Sequence, residues 1–361
     1  MREKLYQMKL IKVNRKSQIL KPPVFGCLKD TPSINVTKGC MHSCVYCYAR
    51  GFTDAPPKGE VHLYQNLPEM LERELDRKKK LPGWVSFSTV SDAFQNMDEI
   101  LDITYRTMKL LLERGIGMSF LTKGFIPSDF IELFRKYPSM SSLGKGGIKG
   151  NVRAKIGLVS LSEDYRKLFE PYTASAFQRL LNIKNLVNAG IEVSVRIDPI
   201  IPPLVKGGEG GFSENSIDRL LKRLKTEGVR NISVSALVMR PSIMNSFGEL
   251  PSNIAQNILK QYVGQPWQSV ITSAKTRLLP KNIRIAQYSR IKRIARQYGI
   301  DCKICGCKNP DLPWQFCSPW VDNQEILIDR NKNQPNLFSE NGFTTMKQEP
   351  VTNKICIGEG I

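Results

Sequence analysis

From residue 84 to residue 237, short apolar runs rich in β-branched and aromatic side chains alternate with longer amphipathic stretches. Residues 84–88 (WVSFS), 118–122 (MSFLT), 155–160 (KIGLVS), 191–197 (IEVSVRI) and 231–237 (NISVSAL) have the composition of strands. A shorter run, residues 33–37 (SINVT), precedes them. The stretches between predict helices over 66–80, 98–114, 128–137, 174–189 and 216–227. The first has Asn66 as its cap, an early Pro68, acidic residues at its start and basic ones at its end, which is the order a helix dipole favours. The second opens on Asp98 and stops at Gly115, and the fourth stops at Gly190. Strands followed by helices at this rhythm imply βαβ units and a parallel sheet, hence an α/β fold. Ligand sites in such folds gather at the carboxyl ends of the strands.

Around this pattern lie regions of different character. Residues 1–30 are basic and broken by Pro22 and Pro23, an extended lead-in. Two glycine-rich inserts, 141–151 and 202–213, share a KGG motif but lack a phosphate-loop pattern, and read as surface insertions. Residues 251–300 read as helical, and 285–298 as a core-packed helix with a basic outer face. The Asn-rich tail, 331–361, has the composition of a disordered segment. No run approaches the ~20 apolar residues of a membrane span, and the start lacks the apolar core of a signal peptide. The nine cysteines therefore belong, on this reading, to a reducing cytoplasm, where clustered thiols are metal ligands. Lys and Arg outnumber Asp and Glu by 53 to 33, a net charge of +20, which favours polyanionic partners, DNA or RNA first among them.

The chemistry concentrates in GCMHSCVYCYARGF, residues 39–52, where Cys40, Cys44 and Cys47 are spaced CxxxCxxC. Three thiolates this close make a soft-metal or iron–sulfur site, and three protein ligands leave one metal position open. A second group, Cys302, Cys305, Cys307 and Cys317, has the four thiols of a complete ligand set for an auxiliary iron–sulfur cluster or a structural zinc. Cys27 and Cys356 are isolated.

CMHSCVYCY, with an aromatic residue before the last cysteine, resembles the cluster loop of the radical SAM superfamily. Within it the chain is most similar to the spore photoproduct lyase branch, through GCMHSCVYCYAR, STVSDAFQ (88–95), LTKGF (121–125) and VRIDPIIP (195–202). The resemblance implies a partial (β/α)6 barrel of TIM type over 31–250 with a C-terminal helical, cysteine-rich extension over 251–330. It implies that Cys40, Cys44 and Cys47 hold a [4Fe–4S] cluster whose fourth iron chelates S-adenosylmethionine. Reductive cleavage would then give a 5′-deoxyadenosyl radical that abstracts hydrogen from the substrate, with the electron coming from a reductant such as flavodoxin or ferredoxin. By the same resemblance Ser91 and Asp92 meet the cofactor's amino acid moiety, Lys123 its carboxylate, and Ser160 and Ser162 its ribose or carboxylate. Arg196, among apolar neighbours, needs an anion, either that carboxylate or Asp198. Tyr46 and Tyr48 match a tyrosine pair implicated in hydrogen transfer; aromatic packing beside the cluster is the plainer alternative. One departure is chemical. The branch's post-strand cysteine is replaced here by Thr89, which cannot do thiol chemistry. From another class, a zinc-containing nucleic-acid-binding protein without redox catalysis would use both cysteine groups structurally.

Overall fold

The computed structural model describes residues 8–23, 28, 31–137, 151–202, 214–270 and 274–313. All of them fall in the first of two units, Met1–Pro319; the second, Trp320–Ile361, lies outside the described residues. So do both glycine-rich inserts apart from Asn151 and Pro202, residues 1–7, 24–27 and 29–30 of the basic lead-in, the C-terminal tail, and Cys27, Cys317 and Cys356.

The chain opens with β1 (Lys9–Val13), β2 (Ser33–Ile34), β3 (Thr37–Lys38), β4 (Glu60–Tyr64) and α1 (Leu67–Asp76). It continues through β5 (Trp84–Phe87), α2 (Asp98–Glu113), β6 (Gly117–Thr122), α3 (Ser128–Arg135), β7 (Val152–Gly157), α4 (Glu163–Phe169) and α5 (Ala176–Asn188). Then follow β8 (Glu192–Ile200), α6 (Glu214–Thr226), β9 (Asn231–Ala236), α7 (Pro241–Phe247) and α8 (Ser252–Leu259). A two-stranded ribbon, β10 (Gln268–Ser269) and β11 (Lys275–Thr276), precedes α9 (Lys281–Gln297) and β12 (Asp301–Ile304).

Seven strands form one sheet in the order β12-β9-β8-β7-β6-β5-β2, and every neighbouring pair is parallel. Sequence order and spatial order coincide, as successive βα units require when each crossover returns in the same direction. The result is an open, partial barrel, the expected architecture. Its strands carry continuous apolar runs because both faces are covered. Val85, Met118, Ile156, Val195 and Val234 are fully buried, and Phe94, Phe120, Phe130 and Phe134 pack ring against ring under α3.

Three features depart from the expected elements. The run 33–37 is not one strand: β2 joins the main sheet, while β3 joins a side sheet with β4 and β1. The strand expected over 155–160 begins three residues earlier, because Arg153 is buried inside β7. Its Nε bonds Glu192 at 3.0 Å and its guanidinium stacks on Trp84. β12 was not anticipated. The cysteine-rich segment is the seventh strand of the core sheet rather than the start of an appendage, with Cys302 opposite Ile232 of β9.

Candidate active site

A cavity of about 610 Å³ opens at the carboxyl ends of these strands. One wall is the cysteine loop, and Cys40, Cys44 and Cys47 all line it as free thiols. The loop starts at Gly39, whose φ is +75° and where a Cβ would come within 2.8 Å of Pro56 Cγ and 3.0 Å of the Glu60 carbonyl oxygen. It is held by side chains from elsewhere. Gln95, fully buried, accepts a 2.7 Å bond from the Met41 amide and donates to Thr37 Oγ1 and the Asp92 carbonyl. The Val45 amide bonds the Phe169 carbonyl at 3.1 Å.

Asp92 is the hub of the neighbouring wall. Its carboxylate accepts from the Phe94 amide (2.9 Å), Thr122 Oγ1 (2.8 Å) and the Lys123 amide (2.8 Å), and pairs with His42 Nδ1 at 3.3 Å. Burial alone would raise this carboxyl, but His42 and these donors hold it below its ordinary range. Burial likewise disfavours a charged His42, yet Cys40 and Asp92 raise the imidazole to about 10. Asp92 thus ties the cysteine loop to the ends of β5 and β6. Asn35, between β2 and β3, does the same for the next turn: its Oδ1 accepts from the Val90 and Ser91 amides, and its Nδ2 donates to Thr89. Ser91, so held, lines the cavity with a buried Oγ that has no hydrogen-bond partner among the described residues.

Lys123 follows β6. Its ammonium lies 5.6 Å from the centroid of the Tyr46 ring and has no carboxylate partner among the described residues. Gly157 leaves room for it, since a Cβ there would come within 2.8 Å of Lys123 Cγ. Tyr46 donates its hydroxyl to Glu170, which Arg179 holds at 2.6 Å. Burial, then Glu170, pushes the Tyr46 hydroxyl well above its ordinary value. Tyr48 donates to the Thr89 carbonyl, with Arg240 5.3 Å from its centroid.

Of the two anions expected for Arg196, the structure supplies Asp198. Its buried carboxylate also receives Lys308 at 2.7 and 2.8 Å. Ser160 and Ser162 do not line the cavity. Ser162 caps α4 by accepting from the Tyr165 amide, and Ser160 accepts from the Ser162 amide. The second cysteine group is divided. Cys305 and Cys307 line the cavity, whereas Cys302 is buried in the hydrophobic core, where burial raises its thiol to about 12. The turn from Cys305 is locked by Asn309, which donates to the Cys305 carbonyl and accepts from Arg284 and Tyr288 of α9.

The residues present fit a cluster with its cofactor. Among the described residues no group of three His, Cys, Asp or Glu side chains converges tightly enough for a single metal ion. A [4Fe–4S] cluster asks for one thiolate at each of three irons. The three thiols line one cavity, and burial first, with the neighbouring thiols adding to it, raises the proton affinity of Cys44 and Cys47. The unpartnered Ser91 Oγ and the Lys123 ammonium are a polar oxygen and a cation for an amino acid moiety.

Asn35, Gln95 and Arg240 escaped the sequence reading. Gln95 sits inside the STVSDAFQ motif, but its partner Met41 is 54 residues away, a contact only the fold reveals.

Residues 34–203 match the Radical SAM superfamily. An uncharacterized protein of Methanocaldococcus jannaschii is 29% identical over 48% of this chain and 61% of its own length. An uncharacterized protein of Mycobacterium tuberculosis is 26% identical over 64% of this chain and 66% of its own. The chain thus spans under two thirds of the length of these curated relatives. A radical SAM Nalpha-GlyT isomerase of Pseudomonas phage M6 is 24% identical over 54% of this chain and 37% of its own. Among solved structures, spore photoproduct lyase complexed with dinucleoside spore photoproduct superimposes with a TM-score of 0.56 at 16% identity, over 83% of this chain and 82% of that one. The family match, the cysteine loop and strands β5 to β8 of the open parallel sheet fall on the same stretch, so residues 34–203 are similar to the Radical SAM superfamily.

Proposed function

We propose that this chain is an enzyme that binds a [4Fe–4S] cluster and S-adenosylmethionine in the 610 Å³ cavity and abstracts hydrogen from a nucleic acid substrate. The observation that carries the reading is the placement of Cys40, Cys44 and Cys47 together on a cavity wall at the carboxyl ends of the parallel strands. The cluster and S-adenosylmethionine, when bound, supply one-electron cleavage of the sulfonium and hydrogen abstraction. This chain's residues do the holding. Cys40, Cys44 and Cys47 ligate three irons, Ser91 Oγ meets the cofactor's amino acid moiety, and Lys123 neutralises its carboxylate. Asp92 is a positioning residue, since its carboxylate is already engaged by four protein donors. Arg196, paired with Asp198, shapes the wall. Tyr46 and Tyr48, hydrogen-bonded to Glu170 and Thr89, exclude water beside the cluster; a part in hydrogen transfer stays with the family resemblance. Cys305 and Cys307 are the described thiols placed for a second metal site, and Cys302 is not on their wall.

Support for nucleic acid comes from the +20 charge and from two relatives' names, one a GlyT isomerase and one a lyase complexed with a dinucleoside photoproduct. A flavodoxin- or ferredoxin-type reductant supplies the electron. Among the described residues no helix is long and apolar enough to cross a membrane.

The test is anaerobic reconstitution, iron and zinc analysis, then dithionite and S-adenosylmethionine with chromatography for 5′-deoxyadenosine. About four irons per chain with 5′-deoxyadenosine formed is the expected result. Zinc alone with no cleavage would hand the case to the metal-stabilised binding protein.

A further inference from the structure

Two tyrosines flank Cys47, and each carries a cation from a different strand end. Lys123, after β6, stands over Tyr46; Arg240, after β9, stands over Tyr48. β7 and β8 separate those strands in the sheet, so the two pairs belong to separate parts of the cavity wall. Arg240 is only 7% exposed. Among the described residues its guanidinium makes no hydrogen bond and no ion pair, and it lies over the Tyr48 ring. A buried guanidinium without a counter-charge is costly, so the position calls for an anion.

No lining carboxylate supplies it. Asp92 has its four donors, Asp198 bridges Arg196 and Lys308, Glu249 pairs with Lys58 at 2.8 Å, and Glu60 faces His62 at 3.4 Å. The Tyr48 hydroxyl is donated to the Thr89 carbonyl. Ser242 and Asn245 of α7 line the same cavity and offer neutral donors. S-adenosylmethionine brings one carboxylate, which the proposed function gives to Lys123. The Arg240 cation is left over.

We propose that Arg240, stacked on Tyr48, is a phosphate-binding subsite for the substrate. A guanidinium lying over an aromatic ring, 5.3 Å from its centroid, keeps N–H groups for bidentate contact with two phosphate oxygens. The inference rests on the proposed function for where the cofactor lies, but the anion site itself can be read without catalysis.

The experiment is calorimetric titration of the reconstituted protein with the dinucleotide d(TpT), its uncharged methylphosphonate counterpart, and thymidine 5′-monophosphate. Parallel titrations use S-adenosylmethionine. Wild type is expected to bind d(TpT) at least tenfold more tightly than the methylphosphonate. Arg240→Gln is expected to remove that preference, and Arg240→Lys to restore part of it, while S-adenosylmethionine affinity stays within about twofold. The mononucleotide arm tells an internal phosphodiester from a free nucleotide phosphate; Arg240-dependent binding of either supports the subsite. Equal affinity of wild type for charged and uncharged dinucleotides, or no binding of any phosphate probe, would overturn it. So would Arg240→Gln weakening S-adenosylmethionine and leaving d(TpT) unchanged. Failure of S-adenosylmethionine cleavage with the charge preference intact would fault the proposed function and leave the subsite standing.

Discussion

Two cysteine segments face the same cavity, and their backbones treat the thiols in opposite ways. The first lies in a loop whose one regular piece is a short 3₁₀ turn, Tyr48–Gly51, and all three of its thiols reach the cavity. The second begins inside a strand. Alternation along β12 sends Cys302 into the core beneath α9, and only past the strand end do Cys305 and Cys307 meet the cavity. Close spacing in sequence makes a ligand set only where the backbone is free to turn its side chains to one point.

The largest expected effect tests that division directly. Cys44→Ala removes a proposed cluster ligand, so iron content should collapse and 5′-deoxyadenosine formation fall more than about 100-fold. Cys302→Ala removes a small buried apolar group and should cost about 1–2 kcal/mol of stability, read as a lower melting temperature, with iron per chain unchanged. A substantial loss of iron in the Cys302 variant would show that the two segments are not built differently after all.

The second prediction concerns what holds the first segment in place. Gln95→Ala leaves the Met41 amide without its acceptor and removes one donor to Thr37 Oγ1, which keeps its bond to the Gly39 carbonyl. A cost of about 3 kcal/mol is expected, because an unmet buried donor loses its full desolvation penalty. The readout that separates a loosened loop from a merely weaker fold is cluster retention under chelator at a temperature where the variant is still folded. Iron should leave the variant faster than wild type.

This contrast also explains what could be read without a structure. Strands β5, β6, β8 and β9 were legible because burial on both faces leaves apolar runs, and the CxxxCxxC loop because its three cysteines fall within eight residues. β12 was hidden because DCKI is four residues with a charge at its start, made a strand by pairing with β9 rather than by its own composition. The start of β7 was masked by Arg153, whose buried charge is balanced by Glu192 on the next strand. Ser160 and Ser162 occupied a post-strand position but turned to capping α4, a local use that competes with ligand binding and leaves the same sequence signal. Asn35 and Gln95 carried no signal, since each gains its role from a loop over fifty residues away.

The smallest effect probes how the second segment is docked. Lys308, immediately after Cys307, holds Asp198 through both carboxylate oxygens. Burial pushes that carboxyl up, but Lys308 and Arg196 outweigh it and keep it below its ordinary range. A carboxyl depressed in the folded state adds stability above its unfolded value, near 3.9, and the contribution is lost as pH falls through the lower folded value. Lys308→Met leaves Arg196 as the remaining cation on that carboxylate among the described residues, so the carboxyl should rise toward its ordinary range and the variant should lose about 1–2 kcal/mol at pH 7. Melting temperatures measured downward from pH 7 should therefore converge as the pH falls through the lower folded value of Asp198, below which its protonated carboxyl no longer distinguishes the two proteins. A gap that stays constant with pH would mean Lys308 acts through packing alone, and the turn bearing Cys305 and Cys307 would then depend on Asn309 and Arg284 rather than on charge.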